Sequence, residues 1–85
     1  MRKHVTLYTT PFCPFCIRAI KKLKEKEVDF TNIDVSKDRE LFKKISLQTG
    51  WDTVPQIFIG ETFIGGCDDL HALDATGKLD EILEA

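Results

Sequence analysis

No apolar run in the 85 residues approaches the ~20 that a helix needs to cross a bilayer. Nor does Met1-Arg2-Lys3-His4 open a signal peptide; it runs into β-rich sequence without an apolar stretch or cleavage site. Cysteine is scarce and odd in number, at positions 13, 16 and 67, whereas a small secreted scaffold needs an even set spread along the chain. Positive charge is not in excess, and a net charge of −2 gives no footing for nucleic acid or an anionic membrane surface. With only three prolines and five glycines there is no linker, repeat or low-complexity stretch. Secreted, spanning and collagen-like classes are excluded. The expectation is one cytoplasmic, monomeric domain over residues 1–85.

A hydrophobic content of 42% beside 31% charged residues is that of a folded protein. A chain this short buries only about 60% of its unfolded surface, so the core must be economical. Charge is unevenly placed. Residues 1–44 carry 11 of the 12 Lys and Arg and six of the 14 acids, a balance of +5, while residues 45–85 stand at −7. Such polarity either orients an encounter with a partner or marks solvated helix faces of different sign.

His4-Val5-Thr6-Leu7-Tyr8 reads as a strand that ends in the turn cluster Thr9-Thr10-Pro11. From Pro14 to about Lys26, Ile17, Ile20 and Leu23 recur on one side with Lys on the other, which predicts an amphipathic helix. Residues 28–35 predict a second strand, and Ser36 followed by acids starts a second helix that Gly50 ends. Gln56–Ile59 and Thr62–Ile64, joined by Gly60-Glu61 alone, predict a hairpin. Gly65-Gly66 releases the chain into a helix starting near Asp68-Asp69, with Gly77 breaking the last helical region. The order β-α-β-α-β-β-α implies an α/β fold: a four-stranded mixed sheet flanked by helices, its first two strands parallel with a right-handed crossover.

Cys13-Pro14-Phe15-Cys16 falls where the first strand hands over to the first helix. Pro14 suits the first helical position, where its missing N–H would have had no partner. Cys13 then lies among free N–H groups at the positive end of the helix dipole, a setting that stabilises a thiolate and makes it reactive. Cys16, three residues on, shares that helix face within disulfide reach. The pair closes too small a loop to restrain the unfolded chain, so it is poor scaffolding and reads as a redox couple. Half a zinc site or inert thiols are the alternatives. Zinc would need two more ligands from Cys67, His4 and His71, which show no ligand spacing, so no metal is expected. Pro55 is the second signal. A proline opening a strand is ordinary, but a cis bond there would turn the backbone of Val54 toward a peptide-like substrate.

Cys13-Pro14-Phe15-Cys16, Thr53-Val54-Pro55-Gln56-Ile57-Phe58-Ile59 and Gly65-Gly66-Cys67-Asp68-Asp69-Leu70 together resemble a dithiol glutaredoxin of the short bacterial type. The resemblance spans essentially the whole chain, in order. It implies a thioredoxin fold, a cis Pro55, and glutathione as co-substrate and reductant. It also implies reduction of disulfide-bearing and glutathionylated proteins. By position, Cys13 resembles the nucleophile and Cys16 the resolving thiol. Thr53 and Val54 match the segment that pairs with the cysteinyl part of glutathione, beside Pro55. Gly66, Cys67 and Asp68 match the stretch that receives its γ-glutamyl end, while Tyr8 and Phe15 line the same surface. Phe15 stands where the motif more usually has tyrosine.

Two departures bear on the reductant. Family members often carry Lys three residues before the nucleophile and a basic residue just before Thr-Val-Pro; here stand Thr10 and Asp52, next to Trp51. Both basic groups would hold the glycine carboxylate of glutathione, so their loss costs about 1–3 kcal/mol of docking unless Arg18 or Lys43 compensates. Two alternatives follow. One is a protein electron carrier reduced by thioredoxin reductase, serving for example ribonucleotide reductase. The other is an iron–sulfur cluster carrier, against which Pro14 speaks. Cys67 is either a small residue at a tight turn or a regulatory thiol. Trp51 reads as a packed loop residue, with a substrate contact as the alternative, and His4 and His71 as structural or surface residues.

Overall fold

Alternation along Val5-Thr6-Leu7-Tyr8-Thr9 decides the centre of the molecule: the odd positions are buried on one side of the sheet and the even ones half-buried on the other. The computed structural model describes residues 3–84, so the first two residues and the last of the expected domain lie outside the described residues. The elements are β1 (Val5–Thr9), α1 (Pro14–Glu25), β2 (Phe30–Asp34), α2 (Arg39–Thr49), β3 (Gln56–Ile59), β4 (Thr62–Gly65), α3 (Cys67–Ala75) and α4 (Lys78–Glu84). The sheet runs β2-β1-β3-β4. β1 pairs parallel with β2 and antiparallel with β3, and β3 pairs antiparallel with β4. This is the mixed α/β sheet expected. Gly60 turns the hairpin at φ 60°, with Ile59 opposite Thr62.

One sheet face, built on Val5, Leu7, Ile57 and Ile59, carries the core. Ala19 and Leu23 of α1, Cys67 and Leu70 of α3, and Leu79 and Leu83 of α4 close over it. Each fully buried Leu or Ile contributes about 1.5–3 kcal/mol relative to exposure. The other face presents Thr6, Tyr8, Gln56 and Phe58, paired across β1 and β3, toward α2 and its buried Ile45. Lys22 of α1 and Lys26, which caps its C-terminal end, bridge to Asp74 of α3 at 3.2 Å each, and Lys26 reaches Asp80 of α4 at 3.0 Å. Part of the charge asymmetry along the chain is therefore spent inside the molecule, fastening α1 to α3 and α4.

Local details depart from the sequence reading. Ile17 is 60% exposed, because the buried stripe of α1 runs through Cys16, Ala19 and Leu23 and a strict three-residue repeat drifts off it. Leu47 likewise faces solvent on α2. Asp38, not Ser36, caps α2: its carboxylate accepts the Leu41 N–H at 3.0 Å, while the Ser36 N–H is taken by Asp34. Gly50 ends α2 in the left-handed conformation, as expected. The last helical region is two helices, because the chain turns at Thr76-Gly77 with Gly77 at φ 78°.

Candidate active site

β1 ends at Thr9, and the chain reaches α1 through Phe12, which holds φ 64° and is 94% exposed. Cys13 is the N-cap residue of α1, extended at φ −95° and ψ 111°, with Pro14 directly after it. Its Sγ accepts the backbone N–H of Cys16 at 3.3 Å, and its carbonyl accepts the N–H of Ile17 at 3.0 Å. The sulfur thus does what a Ser or Asp oxygen does at other helix starts. Cys13 is half-buried; Cys16, one turn on, is buried. Burial pushes the Cys16 thiol up to about 12, helped by its hydrogen bond with Cys13 and opposed by the Thr10 backbone. One sulfur is accessible and bonded to the helix terminus, and the other is sheltered and held protonated. That asymmetry separates an attacking thiol from a resolving one.

At Phe15, two residues past Cys13, opens a groove of about 180 Å³. Phe15 from α1 forms one wall, Thr53, Val54 and Pro55 leading into β3 form the floor, and Gly66, Cys67 and Asp68 at the start of α3 close the far end. The Val54–Pro55 bond is cis, as the resemblance implied. Gly65, at φ 113°, needs to be glycine for two reasons: its backbone is left-handed, and a Cβ would run into Asp69, within 2.6 Å of its Cγ. The Asp69 carboxylate in turn accepts the Gly66 N–H at 3.0 Å, half of a capping box that fixes where α3 begins. Burial pushes the Cys67 thiol up, an effect the Arg18 charge partly offsets. Its Sγ lies 3.4 Å from Nδ1 of His71, which contacts the Cys67 carbonyl oxygen at 2.9 Å.

Trp51, for which substrate contact is the alternative to a packed loop residue, lines the groove, whereas its neighbour there Asp69 escapes the sequence reading of the site. So does Gln56, which positions it. Gln56 is fully buried directly after Pro55 and Val54. Its Oε1 accepts from the Thr49 hydroxyl at 2.9 Å, and its Nε2 donates to the carbonyl oxygen of Trp51 at 2.8 Å and to Ser46 Oγ at 3.3 Å. The Trp51 N–H donates to Thr49 Oγ1 at 3.1 Å, closing a ring of hydrogen bonds that pins both backbone groups of Trp51. The indole meets Phe63 edge-on at 5.7 Å, and Phe63 lies 5.3 Å from Phe58, which meets Tyr8 edge-on at 5.7 Å.

The family model for glutaredoxin matches residues 5–64. A Pseudomonas aeruginosa glutaredoxin is 53% identical over 81 residues, covering 95% of this chain and 96% of that protein. Glutaredoxin 3 of Escherichia coli is 43% identical, covering 95% and 98%. The chain belongs to the glutaredoxin family. Membership brings thiol–disulfide oxidoreductase activity, and the Cys13–Cys16 pair stands where that chemistry needs it. Among solved structures, a dithiolic glutaredoxin of Trypanosoma brucei brucei superposes with a TM-score of 0.87 at 42% identity, covering 95% of this chain and 87% of that one. A buckwheat glutaredoxin–glutathione complex gives 0.89 at 26% identity, covering 94% and 76%.

Against this glutaredoxin frame, the expected site residues separate into two places. Phe15, Thr53, Val54, Pro55, Gly66, Cys67 and Asp68 share the one groove. Tyr8 does not. Strand alternation puts it on the α2 face, where it packs on Phe58 and lines a separate depression with Thr6, Ile45 and Gln48. Thr10 and Asp52 line a third depression, on the other side of Thr53 and Val54. Neither basic residue considered as a substitute lines it. Arg18 is exposed on α1 beside Lys21 and His71, and Lys43 is exposed on α2.

Proposed function

We propose that this glutaredoxin reduces protein disulfides and glutathione mixed disulfides at the expense of glutathione. The observation that carries the reading is the groove that runs from Phe15, in the first turn of the helix that Cys13 caps, to Gly66–Asp68 at the start of α3. A γ-glutamyl group presents a carboxylate and an ammonium side by side. The free N–H groups at the α3 terminus suit the first and Asp68 suits the second. The backbone of Thr53 and Val54, outside the β3 ladder, is available to the cysteinyl peptide groups. A structural neighbour that is a glutaredoxin–glutathione complex supports glutathione as the ligand. A reducing cytoplasm, rich in glutathione, is the fitting compartment, and a monomer the fitting state.

In the reaction, Cys13 as thiolate attacks the glutathionyl sulfur of a mixed disulfide; an S–S bond forms to Cys13 and the target leaves as thiolate. A second glutathione thiolate attacks the glutathionyl sulfur on Cys13, releasing glutathione disulfide and regenerating Cys13. With a protein disulfide, Cys13 attacks one of its sulfurs, and Cys16 then displaces the target from Cys13. Cys16 must lose its proton as it does so, a loss that its burial opposes.

Asp52 beside Thr53 favours a second reading, a carrier reduced by thioredoxin reductase, because it sets negative charge where the glycine carboxylate would lie. Stopped-flow reduction of the oxidised protein, followed by Trp51 fluorescence, discriminates the two. Fast reduction by glutathione with glutathione reductase is the expected outcome. Reduction by thioredoxin reductase alone would replace the proposal with the carrier.

A further inference from the structure

Thr53 and Val54 wall two depressions. The first is the groove of about 180 Å³ that ends at α3. The second, about 400 Å³, is closed by Val35 just past β2, Phe42 on α2, and Thr10, with exposed Asp52 at its rim. Among the described residues lining it, Asp52 carries the only charge. With the γ-glutamyl end of glutathione at α3, its glycine lies on the side of this second depression. That glycine has no side chain to cover the apolar wall of Val35 and Phe42, and its free carboxylate meets the carboxylate of Asp52. Size and charge both disagree.

A polypeptide reverses both disagreements. The residue that follows its cysteine brings a side chain and no carboxylate, and a basic residue next in line would pair with Asp52. We infer that this depression docks the segment following the reacting cysteine of a protein disulfide, selecting an apolar side chain followed by Lys or Arg. The inference rests on the proposed function in placing the γ-glutamyl end of glutathione at α3 and in laying the substrate cysteine across Thr53 and Val54 beside Cys13. In the step it serves, Cys13 thiolate attacks the substrate sulfur next to that segment. The substrate S–S bond breaks, and its other sulfur leaves as thiolate and takes a proton from water. The segment fills the depression while the Cys13–substrate disulfide stands. Cys16, its proton lost to solvent, then attacks Cys13 Sγ; the substrate leaves reduced by two electrons, and the Cys13–Cys16 disulfide holds the oxidation.

The test uses Cys16→Ser protein, which stops at the mixed disulfide, and symmetrical disulfides of two peptides: acetyl-Cys-Gly with a free carboxylate, and acetyl-Cys-Leu-Lys-amide. The second-order rate of mixed-disulfide formation is read by quenched mass spectrometry. Asp52→Lys in the same background is expected to shift the rate ratio of the two peptides by about tenfold toward acetyl-Cys-Gly. Taking the shift between two proteins cancels the intrinsic reactivity of each peptide. Phe42→Ala is expected to cut the preference for acetyl-Cys-Leu-amide over acetyl-Cys-Gly-amide, both uncharged at that end. Asp52 is exposed, so the charge swap reads out even where Phe42→Ala unfolds. A ratio unmoved by Asp52→Lys, within about twofold, overturns the docking site while exchange at Cys13 continues. No exchange with any peptide would overturn the proposed function along with it.

Discussion

Gln56→Leu removes three hydrogen bonds from the centre of the fold while nearly preserving volume, so its cost is polar rather than one of packing. Leu leaves Trp51 without its carbonyl partner and Thr49 and Ser46 without theirs, at original distances of 2.8, 2.9 and 3.3 Å. A net hydrogen bond contributes about 0.5–1.5 kcal/mol, and the 3.3 Å bond to Ser46 sits at the weak end. The sum is about 2–4 kcal/mol, a large part of the 5–15 kcal/mol typical of a domain. Urea denaturation reads that loss as a lower midpoint at unchanged slope. The second consequence concerns function. With the ring opened, Trp51 and the residues up to Val54 lose their anchor, so KM for a glutathionylated peptide should rise several-fold. Alkylation of Cys13, on a different element, should keep its rate. A Leu variant that loses less than about 1 kcal/mol and keeps its KM would refute the assignment of Gln56 as the anchor of the groove floor.

Other substitutions test other parts. Cys13→Ser should abolish turnover, whereas Cys16→Ser should keep deglutathionylation and lose reduction of protein disulfides; substantial activity in the Cys13→Ser protein would defeat the role assignment. Gly65→Ala sets a Cβ against Asp69 at a left-handed position and should cost about 1–3 kcal/mol, read in a thermal melt; an unchanged melting temperature would show that the turn relaxes freely. The hydrogen bonds of Lys22 and Lys26 hold the Asp74 carboxyl below its ordinary 3.8, so the stability it adds is complete above that pH and disappears as pH falls through the lower folded value. The stability gap between parent and Asp74→Asn should therefore close in acid. A gap independent of pH would mean that the ion pairs with α1 contribute nothing.

The parts of the site legible in the sequence are those that local chemistry determines. Cys13, Pro14 and Cys16 announce a helix start by themselves, and Gly65-Gly66 before two acids announces another. Thr53-Val54-Pro55 is legible only through the resemblance, and the cis bond with it. Contacts made across the sheet decide the rest. Tyr8 is adjacent in sequence to the loop that carries Cys13, yet β1 alternation turns it to the α2 face, and no local signal says on which face the groove opens. Gln56 after Pro55 reads as a boundary residue. It is buried because α2, ending just before it, supplies Ser46 and Thr49 as partners. Ile17 and Leu47 count toward helical periodicity whether or not another element packs on them, and here none of the core residues does.

The row of rings from Trp51 through Phe63 and Phe58 to Tyr8 makes the protein its own optical probe. Its sole tryptophan and sole tyrosine are the two ends of that row, so each type of signal comes from one residue. Fixed edge-on rings give near-ultraviolet circular dichroism that vanishes when tertiary packing loosens and helices persist. Excitation of Tyr8 is collected at the groove by Trp51, so energy transfer between them gauges whether β3 and β4 still hold the site to the sheet. A preparation can thus be graded for an intact groove by light alone, before any thiol is titrated.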